Sequence, residues 1–117
     1  MKYTTLRQAI VEAEKQHGLH ELDFMMRELL HAITHAHVNN EPMRVSHLMK
    51  NPAHGTFPTI SAKLKQLGDG GWIERRGDEH DRRSVLLEAT PKTLATFDQI
   101  SNLLETATAS DGSTSST

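Results

Sequence analysis

Gly71-Trp72-Ile73-Glu74-Arg75-Arg76-Gly77-Asp78-Glu79-His80-Asp81-Arg82-Arg83-Ser84-Val85-Leu86-Leu87-Glu88 is the stretch that decides how this 117-residue chain is read. Its two ends have the character of strands. Trp72 to Arg76 alternates bulky and polar residues, and Ser84 to Leu87 is short and apolar with Val85 at its centre. Between them lies a tip of glycine and charge that has no place in a core, because burial would leave its charges unpaired. A hairpin carrying Arg82 and Arg83 near its end suits contact with a phosphate backbone or a narrow groove, where guanidinium donors match phosphate oxygens and base edges.

Immediately upstream, Thr59 to Leu67 places Ile60, Leu64 and Leu67 on one face of a helix. The opposite face carries Thr59, Ser61, Lys63 and Gln66, all able to hydrogen-bond and none acidic. Pro58 suits the first turn, where its missing N–H would be unpaired in any case. Gly70-Gly71 ends the helix. Helix, glycine stop, strand, charged tip, strand is the order of a winged helix-turn-helix, so the expected fold is mainly α with a small β-hairpin.

Two motifs within this region resemble the MarR family of bacterial transcriptional regulators. One is Thr59-Ile60-Ser61, Leu67 and Gly71-Trp72-Ile73. The other is Asp78-Glu79-His80-Asp81-Arg82-Arg83-Ser84, followed by Val85 to Leu87 and Thr90. The resemblance implies a homodimer that sets two recognition helices in successive major grooves of double-stranded DNA, about 34–36 Å apart. It implies DNA contacts from Thr56, Thr59, Ser61, Ala62, Lys63, Lys65 and Gln66 on and before the helix, and from His80, Arg82 and Arg83 on the wing. By the same resemblance Asp81 braces Arg83. Ala62 stands where the family commonly has a basic residue.

The charge distribution agrees with a reading head in the middle of the chain. The formal net charge is −2, yet Arg44 to Lys92 holds nine Lys or Arg against six Asp or Glu. The first 43 residues have four against six, and the segment after Lys92 has none against three. Local phosphate neutralisation, not total charge, sets DNA affinity. The length fits one domain. The chain has no cysteine, hence no disulfide framework or thiolate metal site, as in a reducing cytoplasm. No apolar run is long enough to span a membrane, and Met1-Lys2-Tyr3-Thr4 opens no signal-peptide core.

Helices flank the reading head. Thr4 or Thr5 is expected to cap a first helix ending at His17, with Leu6, Ala9, Ile10 and Ala13 as its apolar stripe and Gly18 as its stop. A second helix is expected from Glu21 to Val38, built on Leu22, Met25, Met26, Leu29, Leu30 and Ile33. Met43-Arg44-Val45 reads as a short extended piece that pairs with the wing. Ser46 is expected to cap a helix to Lys50 with Leu48 inward, and Asn51 to Phe57 to form the turn, with Phe57 packed under the recognition helix. Thr90 and Pro91 start a last helix carrying Leu94, Phe97, Ile100 and Leu104 to about Thr106. Residues 1–107 thus form a winged helix-turn-helix domain whose terminal helices are expected to make the dimer interface. Residues 108–117, without a sizeable apolar group, read as a disordered tail.

No phosphate-cradling glycine loop, zinc-protease motif or Gly-x-Ser-x-Gly elbow is present, so no enzyme activity, catalytic residue or cofactor is expected. His31 and His35 stand one turn apart with Glu28 and His37 nearby, a spacing compatible with zinc; that spacing is weak evidence, and no metal site is assigned. Two alternatives share the fold: a protein-binding winged helix whose basic face is incidental, and a sensor answering to a metal or small-molecule effector.

Overall fold

A computed structural model of the chain describes residues 2–50, 55–78 and 81–115, with side chains described for 2–48, 50, 55–77 and 85–106. Helix α1 (Lys2–His17) is followed by a single 3-10 turn at Leu19–Glu21, then α2 (Phe24–Val38). A two-residue strand β1 (Met43–Arg44) leads into α3 (Val45–Met49) and α4 (Phe57–Asp69). Strands β2 (Ile73–Asp78) and β3 (Asp81–Ala89) form the hairpin, and α5 (Pro91–Ser115) closes the chain. The sheet is antiparallel with β3 in the middle, Met43 opposite Leu87 on one side and Arg75 opposite Leu87 on the other. The architecture is the expected one, mainly α with a small sheet.

The chain divides into two compact units, residues 22–94 and residues 1–21 with 95–117. The first contains the complete winged helix. Leu29, Leu30 and Ile33 of α2, Leu48 of α3, Ile60, Leu64 and Leu67 of α4, Trp72 just before β2, and Ile73 and Leu87 of the sheet are all buried. All but Trp72 come from the apolar side of their own element, which is why the helices and the hairpin share one core. In the second unit, Ala13 and Leu19 are the buried apolar residues among those described. Within it Gln99 reaches back to α1, its Oε1 lying 2.6 Å from Nε2 of His17.

Several boundaries differ from expectation for identifiable reasons. Helix α1 begins at Lys2, so Thr4 and Thr5 lie inside it and do not cap it. Asp23 starts α2, with Oδ1 accepting the N–H of Met26 at 2.8 Å, and the turn before it replaces the first residues of the longer helix expected from Glu21. Ser46 lies within α3; the first turn is instead closed by His47, whose Nδ1 accepts the N–H of Arg44 at 3.2 Å. Phe57 is the first residue of α4 and 53% exposed, not packed beneath it. The hairpin strands reach closer to the tip than their composition implied, because ladder pairing, with a register shift between Gly77 and Asp78, carries polar residues along. Helix α5 continues past Thr106, so that the tail expected to be disordered from 108 is helical to Ser115. No proline interrupts it, and extending a formed helix costs far less than nucleating one. The turn residues Asn51 to His54 lie outside the described residues.

Candidate nucleic-acid interface

Helix α4 is anchored by its apolar side and stopped sharply at its far end. Beyond Leu67 the chain closes a Schellman turn: the N–H of Gly71 bonds to the carbonyl of Gly68 at 3.0 Å and that of Trp72 to Leu67 at 2.9 Å. Gly71 sits at φ 78°, a conformation that favours glycine, and Trp72 is buried beside the Leu67 stripe. At Gly70 a Cβ would lie 3.0 Å from Cδ1 of the Trp72 ring. The reversal of direction between helix and wing is therefore tightly specified.

The start of α5 locks that junction. Thr90 donates its hydroxyl proton to the carbonyl of Gly71 (2.6 Å), and its oxygen accepts the N–H of Thr93 at 3.3 Å, a helix cap as expected. Thr93 donates to the carbonyl of Trp72 at 2.6 Å. Lys92 lays its ammonium 4.0 Å from the centre of the Trp72 ring and donates to Gly70 O at 2.9 Å. End of helix, base of wing and start of α5 are thus one hydrogen-bonded knot.

The outward side of α4 is free of carboxylates until Asp69. Thr59, Ala62, Lys65 and Gln66 are exposed, and Ser61 is half-buried. Thr56 makes no cap bond with its side chain and instead meets Thr59 hydroxyl to hydroxyl at 3.2 Å. Lys63 departs from the group. Its ammonium turns back onto Oδ2 of Asp23 at the start of α2, leaving the side chain 25% exposed. That contact is the first cause of a carboxyl pKa below the ordinary 3.8 at Asp23, with the N–H of Met26 adding to it.

The wing rises beside this face. Arg82 and Arg83 lie on β3 and Asp81 begins it, but their side chains lie outside the described residues, as does His80 altogether. Midway along the hairpin Arg76 is held by Glu88, Nε to Oε1 at 2.7 Å. A groove of about 380 Å³ lies between α4 and the wing, lined by Phe57, Ser61 and Leu64 of α4, by Arg75 and Val85 of the hairpin, and by Arg44 and the start of α3. Arg75 was not singled out by sequence reasoning. The register supplies the missing signal, since Arg75 opposes Leu87 and so shares the sheet face turned to α4.

Two histidines of α2 have partners within the fold. His35 lies 3.3 Å from Nδ2 of Asn39, and Nδ1 of His37 accepts the N–H of Ala89 in β3 at 3.2 Å. Among the described residues no three His, Asp or Glu side chains converge as metal ligands.

Comparison with known proteins fits this geometry. The sequence model of the family described as "Winged helix DNA-binding domain" matches residues 26–93, more than half of the chain. A comparison with curated proteins found no match. Among solved structures, MarR is similar at 24% identity and a TM-score of 0.59, over 87% of this chain and 71% of that one. The S. aureus MepR–DNA complex is similar at 16% identity and a TM-score of 0.69, over 97% and 87% respectively. Reduced AbfR bound to DNA is similar at 15% identity and a TM-score of 0.59, over 89% and 71%. At these identities the structural likeness speaks for the fold. The family match covers α2 through the start of α5, the same elements that build the helix, knot and wing, and the chain belongs to the family of winged helix DNA-binding domains.

Proposed function

We infer that this protein is a sequence-specific transcriptional regulator that binds double-stranded DNA as a homodimer, with α4 in the major groove and the wing in the adjacent minor groove. The observation that carries the reading is the exposed face of α4, whose own side chains include no carboxylate before Asp69, set next to an arginine-bearing hairpin. Thr59, Ser61 and Gln66 offer hydroxyl and amide groups for base edges, Ala62 leaves room for a thymine methyl, and Thr56 and Lys65 face the backbone. Arg82, Arg83 and His80 are assigned to the wing contact, with Asp81 orienting Arg83. DNA-bound MepR and AbfR among the similar structures support this mode. The described residues contain no helix long and apolar enough to cross a membrane, and we place the protein in the cytoplasm with its DNA. Covering a promoter in this way would repress transcription.

Selection from random duplex DNA at near-physiological salt tests the reading. Enrichment of a palindrome with half-sites about one helical turn apart is the expected result. Sequence-blind retention alone would remove the regulator reading and favour the protein-binding alternative. Arg82→Ala and Arg83→Ala should each flatten the dependence of log affinity on log salt by about 0.9.

A further inference from the structure

The contact between Lys63 and Asp23 joins two elements that the expected DNA-binding surface does not explain. Asp23 is fixed on both sides: Oδ1 accepts the Met26 N–H at 2.8 Å and Oδ2 accepts Lys63 Nζ at 2.5 Å. Most surface ion pairs contribute little because two long side chains must be ordered to make them. Here the acid is already immobilised as the cap of α2, so only the lysine loses freedom on pairing. The same lysine lies on the α4 face with exposed Thr59, Ala62 and Gln66, yet it alone of the four is half-covered. A phosphate approaching that face would have to displace a carboxylate already held by the Met26 N–H, and would meet its negative charge.

On the DNA-binding reading above, we propose that Asp23 is a positioning residue for recognition: it withholds Lys63 from the phosphate backbone and uses it to fix α4 against the start of α2. Sequence discrimination then rests on the short polar side chains of α4. A mobile ammonium among them would add affinity for any duplex, since phosphate contacts carry no sequence information. Asp23 thereby lowers non-specific binding without touching a base. The same contact with Lys63 holds the Asp23 carboxyl below the ordinary carboxylate range.

The test uses the full chain, random-sequence duplex DNA and a series of salt concentrations. Asn caps a helix as well as Asp does, so Asp23→Asn keeps α2 while releasing Lys63. Its log affinity against log salt should steepen by about 0.9, the signature of one additional neutralised phosphate. Lys63→Met in the native background should leave the slope unchanged, and the double variant should return to the native slope. A slope flattened by about 0.9 in Lys63→Met would show Lys63 on phosphate already and overturn the proposal, as would a native slope in Asp23→Asn. Carbon-13 NMR of the Asp23 carboxyl reads the pair without DNA. Its titration should move up toward the ordinary range in Lys63→Met, and an unmoved titration also overturns the proposal. If the native chain shows no salt-dependent DNA binding while the NMR shift is seen, the pair is real but the DNA-binding reading fails, and the recognition role falls with it.

Discussion

Residues 22–94 and the pair of terminal segments bury their apolar groups very differently. In the first, Leu29, Leu30, Ile33, Leu48, Ile60, Leu64, Leu67 and Leu87 are essentially without solvent contact. In the second, Leu6 and Ile10 of the α1 stripe are half-covered, while Tyr3 is 71% and Leu104 46% exposed. The first has a finished core; the second has stripes still open. A core completed within one chain sets the shape of the reading head independently of concentration. A stripe left open is satisfied only when something else covers it, and the proposed dimer assigns that part to a second copy.

Paired truncations of the same residue type break this comparison most directly. Leu64→Ala, at a site 1% exposed, should cost about 2–5 kcal/mol in chemical denaturation, the range for a buried leucine that leaves a cavity. Next in size, Gly71→Ala should cost about 1–2 kcal/mol, because an alanine must adopt the left-handed conformation at the helix-to-wing reversal. Asp23→Ala should cost about 1 kcal/mol through the lost cap, while Asp23→Asn keeps the cap and gives up only the ionic contribution. Since the carboxyl pKa of Asp23 is lowered on folding, its ionic contribution is present above the ordinary carboxylate pKa and disappears as pH falls through the folded value. Leu104→Ala should change the stability of the isolated chain by less than about 0.5 kcal/mol, as surface substitutions do. Its effect should instead emerge in sedimentation, as a weaker dimer. Equal losses at Leu64 and Leu104 in denaturation would erase the contrast.

The same division separates what the sequence made legible from what it did not. Ile60, Leu64 and Leu67, the glycines after them and the strand alternation of the hairpin are local patterns whose burial follows from their own period, and the fold of the reading head was readable from them. Phe57 shows where period fails. It continues the α4 stripe by spacing, but the first turn of the helix overhangs the core and faces the groove toward Val85. Lys63 shows the same for the site. Its position on the polar face is correct, yet its partner lies forty residues earlier, at a cap hidden by a helix start expected at Glu21. Arg75 needed the strand register. Periodicity locates a face; only tertiary neighbours decide which side chains on that face are already engaged.

Strand β1 contains two residues, and its pairing of Met43 with Leu87 has a consequence for how this protein opens. The hairpin can zip from its own tip, a local event, whereas β1 must find β3 across an intervening loop that contains α3, α4 and β2. That loop carries the recognition helix and one strand of the wing. The β1–β3 pairing therefore closes that loop over the core shared by α4 and the hairpin, and it should open together with that core. Amide protons bridging β1 and β3 should exchange through the same opening as those in the middle of α4, making two short-strand residues a reporter for the integrity of the whole head.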